Sequence, residues 1–468
     1  LNTMPRMLAR VVSLLAVGLL ATLAVGRPLQ AQDGGWTGPE LVFEGSGRVD
    51  NPVLVADAYG QVHAFWVFSE EEFGAPSARV IYYSRLDDPE WQPLDIFVIN
   101  GNGSGLTGAA SSDGLALLVN GGDYANSGPS PAPTAMDWYG LTNLQQAYPN
   151  AALAAGPDGA LWMAYGTTTG EIDVQRRDPA TGAWEAPRLV GDTANTNAAA
   201  DWLRLAIGSD GTVHVVWSEF QLPNGWPPLG IYYAQSTDGG QTWTGRRRLG
   251  NGGFNQPNVV TGPNGAVYLT WTGIAGIAGK YFQESLDGGL TWGEVVAILP
   301  GGSGGGSEGP PNLAVDSAGG LHMLYSNQGC VWYVSRPPEQ QWSAPECISA
   351  EAGPAQVLEF PTMTIRLGNE LHVMFWTERR QVWHTSLTLA LPAEAPLPIP
   401  IIPTATPVPP TATVAPTPTS TPLPDYGAAP TTAMVTGPGL FSIAAGAVPV
   451  VLLVLLVLAG RRGGPARR

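Results

Sequence analysis

The sequence predicts an all-β fold, a ring of seven four-stranded blades, and three recurring signals within its 468 residues predict it. The first is a tryptophan heading a short strand: Trp36 in "WTGPELVF", Trp91 in "WQPLDIFV", Trp138 in "WYGLTN", Trp184 in "WEAPRLVG", Trp243 in "WTGRRRLG", Trp292 in "WGEVVAIL" and Trp342 in "WSAPECIS", at intervals of 46 to 59 residues. The second is a turn followed by alternating apolar residues, as in "DAYGQVHAFW", "GPDGALWMAY", "GSDGTVHVVW" and "GPNGAVYLTW". Asp-Gly and Asn-Gly between period-two runs are hairpin signals. The third is a short aromatic strand such as "VIYYSR", "GIYYAQS" or "VWYVSR". A blade of about 50 residues cannot cover both faces of its sheet alone, so blades must stack on neighbours.

Taken in chain order, Arg6 and Arg10 precede the apolar run Val11 to Val25, the layout of a secretory signal over residues 1–31 with cleavage after Ala31. A retained N-terminal anchor is the competing reading. The propeller spans 32–390. Its last unit ends without a tryptophan strand, while Trp36 heads one with nothing before it; the N-terminal strand is therefore expected to complete the last blade. In the second unit "NGGDYANSGPSPAPT" replaces a clean third strand, so six blades plus an insertion is the alternative.

Residues 391–438 read as a disordered stalk rich in proline and threonine, and its proline-dense part, 391–424, predicts an extended polyproline arm of up to ~100 Å at about 3.1 Å per residue. Residues 439–460 carry an uncharged run long enough to cross a bilayer, and 461–468 a basic tail that marks the cytoplasmic side. "LPDYG" at Leu423 to Gly427 resembles a sortase signal but has Tyr426 where those carry Thr, which favours a single-pass membrane anchor. The expected location is the cell membrane, with the propeller outside.

The net charge is −16 overall, and −23 once the basic terminal segments are set aside. Such a surface disfavours nucleic acid and anionic lipid as partners.

"STDGGQTW" and "SLDGGLTW" share Ser236/Ser285, Asp238/Asp287, Gly240/Gly289, Thr242/Thr291 and Trp243/Trp292 at identical spacing. In such a turn the Asp carboxylate accepts backbone N–H groups, Gly supplies positive φ and Trp packs into the blade. The pattern resembles the Asp-box, or BNR, repeat of sialidase-like propellers, over roughly residues 36 to 388. The resemblance implies boxes on the rim, away from any active centre. Cys330 and Cys347 flank the corresponding turn of the sixth unit symmetrically and are expected to form a disulfide.

His63, His214, His322 and His372 recur at one position per unit, which predicts packing between blades rather than a metal site. No metal and no cofactor is expected. The family's catalytic members imply three substrate-binding arginines, an Asp acid/base and a Tyr–Glu nucleophile pair. Where the first arginine is expected, this chain has Asp50, Asn51 and Pro52; Arg204, Arg366 and Arg379 do not align with the clamp, and Tyr325 reads as a packed strand residue. No catalytic residue is assigned.

The loops on the face opposite the boxes collect Glu70, Glu71, Glu72 and Phe73, Asp123 and Tyr124, Glu219, Phe220 and Trp226, and Glu378, Arg379 and Arg380. Aromatic rings beside carboxylates suit sugars or protein partners. The sequence thus points to a membrane-tethered, non-catalytic module binding a glycan or protein ligand; the alternative is an exo-acting, sialidase-type glycoside hydrolase with a divergent active site.

Overall fold

The computed structural model describes residues 35–398, except 70–78, 100–102, 113, 121, 129–137, 145–150, 168–169, 194–196, 224, 226, 251, 275–276, 300–308, 353–359 and 379. The signal, the span at 439–460 and the basic tail expected from the sequence lie outside the described residues, as does the spacer beyond residue 398. Among the described residues no helix is long and apolar enough to cross a membrane.

Seven four-stranded antiparallel sheets form the ring. Six are consecutive in sequence: blade 1 opens at Arg48–Ala56, blade 2 at Thr107–Ser111, blade 3 at Ala152–Ala155, blade 4 at Ala198–Ile207, blade 5 at Phe254–Thr261 and blade 6 at Asn312–Val315. Blade 7 takes three strands from the C-terminal side, Thr362–Arg366, Glu370–Thr377 and Gln381–Thr388, and its outer strand, Glu40–Glu44, from the N-terminus. Glu40 pairs with His384 and Glu44 with Gln381, so the expected closure is present. Blade 2 is complete as well. A short third strand, Asp123–Asn126, and an outer strand, Tyr139–Asn143, remove the six-blade alternative.

The second strand of each blade shows why the ring holds. Its neighbours cover both faces, so "VHAFWVFS" and "LWMAYG" are buried almost throughout. Alternate residues serve different interfaces: Phe65 and Val67 pack toward blade 2, whereas Ala64, Trp66 and Phe68 pack toward blade 7. Seven apolar clusters result, one for each contact between adjacent blades, the 7–1 seam included. Each such side chain contributes roughly 1.5–3 kcal/mol by leaving water. Outer strands lack this cover, and Leu189 and Val296 are exposed.

The turns joining first to second strands, and third to fourth, define a lower face. Both Asp boxes lie there. Ser236 Oγ donates to Asp238 Oδ1 (2.8 Å) and accepts from the Gly240 N–H (2.8 Å), while Asp238 Oδ1 accepts the Thr242 N–H (2.8 Å) and Oδ2 the Thr242 hydroxyl (2.6 Å). The second box repeats these bonds through Ser285, Asp287, Gly289 and Thr291. Those donors pull both carboxyls down to about 2. Trp243 packs at the blade 3–4 interface and Trp292 at the 4–5 interface.

Cys330 and Cys347 are disulfide-bonded, with Cα atoms 5.9 Å apart. The ladder pairs Cys347 with Trp332, so the bond runs diagonally and not between directly opposed residues.

The histidines bond within their own blades. His63, His214 and His322 are hydrogen-bonded through Nδ1 to Tyr83, Tyr233 and Tyr333 of the third strand, at 2.7–2.8 Å. In blade 7 the tyrosine is replaced by His384, 3.1 Å from His372, and His384 reaches Glu40 of the closing strand at 2.9 Å.

Candidate functional site

The upper ends of the inner strands surround the ring axis. In three blades the ladder slips one step above the first inner pairs, between Asp50 and Val53, Asp201 and Arg204, and Asn255 and Asn258. The first of the two residues inside each slip has left-handed backbone: Asn51 (φ 51°), Trp202 (φ 52°) and Gln256 (φ 55°). Phe360 (φ 56°) holds the corresponding place in blade 7. Asp201 Oδ1 accepts the Trp202 N–H at 2.8 Å and Asn255 Oδ1 accepts the Gln256 N–H at 2.7 Å, which secures the bulge locally. Left-handed backbone costs a bulky residue about 1–3 kcal/mol and persists only where the surroundings hold it.

At two of these positions the side chain is a large aromatic. Trp202 of blade 4 and Phe360 of blade 7, which are not neighbours in the ring, stack across the axis with centroids 6.0 Å apart and planes 8° from parallel. Both rings are partly exposed. Gly309 of blade 6 lies directly beside Phe360; a Cβ there would come within 3.0 Å of the Phe360 nitrogen, and its φ of +60° also suits glycine. The Gly309 carbonyl accepts bonds from the fully buried Lys280 ammonium (2.6 Å) and from Thr272 (3.0 Å). The single lysine of the chain thus anchors the Gly309 backbone against which Phe360 rests.

Arg204 lies two residues further along the same strand. Its guanidinium is 6.0 Å from the Trp202 ring and donates to the Leu203 carbonyl at 2.7 Å. Burial lowers its pKa, an effect that Asp201 partly offsets. At the opening of blade 1 the Asp50 carboxylate is taken by Arg48 at 2.6 Å, and Asn51 donates to the Gly103 carbonyl of the next blade at 3.3 Å. Among the described residues the mouth therefore presents two stacked rings, amide groups and the Arg204 guanidinium, with the Arg48–Asp50 ion pair at its edge.

The sequence-predicted loop residues are only partly among the described ones. Glu70, Glu71, Phe73, Trp226 and Arg379 lie outside the described residues. Glu219 is fully buried; its carboxylate receives Arg246 at 2.9 Å and the Trp217 N–H at 3.0 Å. Tyr124 is buried against Trp184 at 5.4 Å, and burial raises its pKa. Asp123 accepts a bond from Asn120 at 2.9 Å. Phe220 is half-buried, and Glu378 and Arg380 are exposed in the upper loop of blade 7. Arg366 sits on the lower face, bonded to Asp88 at 2.6 Å and to Glu370. Tyr325 is buried, with its hydroxyl pushed up to about 12 by desolvation. The residues that sequence reasoning missed, Trp202 and Phe360, stand in "DWLRLA", within the inner strand of blade 4, and "EFPTMT", just before that of blade 7, in register with "DNPVLV" and "NQPNVV".

Comparison with known proteins agrees with this architecture. Residues 159–389, from the first turn of blade 3 to the end of blade 7, match the model of the BNR repeat-like domain. The chain is thus similar to that family over just under half of its length. No curated protein matches it. Among solved structures, the BP39L lectin from Burkholderia pseudomallei superposes with a TM-score of 0.52 at 13% identity, over 76% of this chain and 99% of the lectin. An ulvan lyase gives 0.49 at 8% identity, over 74% of this chain and 94% of its own. A variant of the NanB sialidase from Streptococcus pneumoniae gives 0.43 at 12%, over 80% and 72%. At 13% identity the likeness to the lectin is one of fold, and a shared fold does not fix an activity.

Proposed function

We propose that this protein is a membrane-tethered binding module at the cell surface whose ligand is a glycan held at the axial mouth without turnover. The observation that carries the reading is the Trp202–Phe360 stack, built from opposite sides of the ring on left-handed backbone. A sugar ring offers an apolar C–H face to an aromatic plane while its hydroxyls need amide and charged partners, and the mouth supplies both kinds of group. An aromatic contact of this type contributes about 1 kcal/mol. A bound lectin-like ligand also fits the placement of Arg204, Asn51 and Gln256 around the same opening.

Hydrolysis of the sialidase type needs several arginines converging on one carboxylate and an accessible Tyr–Glu pair. Among the described residues Arg204 is near the mouth, Arg366 is on the other face, and Tyr325 is buried. In a glycan array, Trp202→Ala and Phe360→Ala are each expected to weaken capture about tenfold, or 1.4 kcal/mol. A fluorogenic sialoside is expected to stay intact. Turnover that disappears in Arg204→Ala would replace the binding reading with a hydrolase, and undiminished capture by both aromatic variants would move the ligand elsewhere.

A further inference from the structure

Among the described residues blade 5 leaves more apolar surface open than any other blade. Leu286, Leu290, Val295 and Val296 are all exposed, the first two by 71% and 64%, whereas each other blade has at most one large apolar side chain in that state. Single exposed apolar residues are ordinary on a protein surface; a contiguous group marks a contact. The Asp box does not require them. Blade 4 has Thr237 and Gln241 where blade 5 has Leu286 and Leu290, and both turns make the same Ser, Asp, Gly and Thr bonds. At the same distance past the box tryptophan, Arg247 pairs with Tyr233 in blade 4 and Val296 with Phe282 in blade 5. The valine thus stands where the sister blade has a charge.

The outer strand of blade 5, Val296–Leu299, is open along its outer edge; among the described residues it pairs with the third strand alone. An open edge is a template for another strand, and proteins blunt it with charge, proline or brevity. Glu40–Glu44, Glu90–Ile99, Arg188–Asp192 and Arg247–Gly250 contain charged residues, Tyr139–Asn143 contains a glycine, and Glu346–Cys347 is two residues long. Val296–Leu299 has none of these protections. Its unpaired backbone groups call for an extended chain, and the open valines and leucines call for apolar side chains on that chain.

Charge decides whose chain it is. The body carries −23 without its terminal segments. Glu294, beside the strand, is exposed with no cation on it among the described residues, and Asp287 stays ionised, its carboxyl held at about 2 by the Thr291 hydroxyl and N–H. Against them stands Arg247, which donates to the Leu290 carbonyl at 2.7 Å, so the local balance remains negative. A second copy or an acidic segment is repelled, and a basic one is drawn in.

We propose that blade 5 is a docking edge for a partner protein, whose extended segment of alternating apolar and basic residues adds a fifth strand beside Val296–Leu299 and packs on Leu286, Leu290, Val295 and Val296. The contact lies on the rim and does not depend on the glycan reading of the axial mouth.

The test uses the full chain and a fluorescent synthetic peptide of alternating valine and lysine, with binding read by anisotropy. Leu286→Thr combined with Leu290→Gln gives blade 5 the residues that blade 4 already carries, so the box is expected to fold while peptide binding weakens about tenfold. Glycan capture by this variant is expected to be unchanged. Glu294→Gln is expected to weaken the peptide about threefold, a loss that raised salt removes. The same peptide with its backbone N-methylated keeps its side chains but has no N–H to donate, and is expected to lose binding. Undiminished binding by the leucine variant or by the N-methylated peptide overturns the proposal, because charge alone would then hold the probe. A valine–glutamate peptide that binds as well as the lysine one overturns the basic partner. In sedimentation velocity, a dimer of the full chain that the leucine variant abolishes would give the edge to a second copy and overturn the proposal too.

Discussion

The lower and upper ends of the same blades are built by different rules. Below, the structure repeats itself: two Asp boxes with the same bonds, three His–Tyr pairs at 2.7–2.8 Å, and glycines wherever the turn needs positive φ. Above, the inner strands share a bulge but fill it with unlike residues, Asn51, Trp202, Gln256 and Phe360. The lower end shows what the ring needs in every blade, because each blade faces the same task of covering its neighbour. The upper end is under no such common demand. Bulky side chains occupy a backbone region that suits glycine, and Trp202 joins none of the apolar clusters between blades that could offset its cost, which is the pattern expected of a site.

If that division is right, the largest losses of stability come from the lower end. Gly289 is the severest case. A Cβ there would lie 1.9 Å from the Tyr233 hydroxyl and 2.2 Å from Gln235 Oε1, in the buried network that also holds His214. Gly289→Ala is expected to cost about 3 kcal/mol or more, through overpacking and a φ of +89° together. Gly239→Ala is the matched control: φ is +69°, nothing lies within 4 Å, and about 1 kcal/mol is expected. Urea melts of both variants check the difference. Equal costs would mean that backbone conformation, not contact between blades, makes the box need glycine.

Acid should act on the same end. Burial holds His214 and His372 near a pKa of about 4, against 6.5 for the free side chain. A depressed imidazole stabilises the fold fully above the unfolded value, and the contribution is lost as pH falls from 6.5 towards 4. The limit is about 3 kcal/mol for each group. Groups facing His372 are His384 and Glu370 of its own blade, Arg366 at the turn, Glu40 through His384, and Asp88 of blade 1 through Arg366. The box carboxylates, held at about 2, add a further loss only below 3.8. Melts between pH 7 and 4 are expected to show most of the decline below 6.5, and a flat profile to pH 4 would exclude buried neutral imidazoles.

How much of this was legible follows the same division. Blade number, closure by the N-terminal strand, the boxes and the disulfide all depend on spacing within one unit or on what the first and last units lack, and all were readable. The mouth was not, because Trp202 and Phe360 meet only when blades 4 and 7 come round the axis, a tertiary fact with no local signal beyond the run before each inner strand. Glu219 misled for a physical reason. "VHVVWSEFQ" continues as a strand to Gln221, so the acid that looked like loop is interior, neutralised by Arg246. Residues 391–398 have a spacer's composition yet bond to the ring, since two N–H donors, Glu394 and Leu397, and the Leu391 carbonyl as acceptor outweigh proline content.

The smallest expected change in stability sharpens the comparison most. Trp202→Gly removes a stacked ring worth about 1 kcal/mol and relieves left-handed strain of similar size, so the melting midpoint is expected to move little. Phe360→Gly follows the same reasoning, with a somewhat larger loss because Phe360 also packs against the apolar cluster at the 7–1 seam. Ligand capture, in contrast, is expected to fall about tenfold in each. The pair of readouts separates the two ends of the molecule: a lower-face variant such as Gly289→Ala loses stability and, while folded, keeps its affinity, whereas an upper-face variant does the reverse. A Trp202→Gly protein that loses several kcal/mol would show that the stacked pair is a structural plug of the channel, and the case for a ligand at the mouth would then rest on nothing but its amides and Arg204.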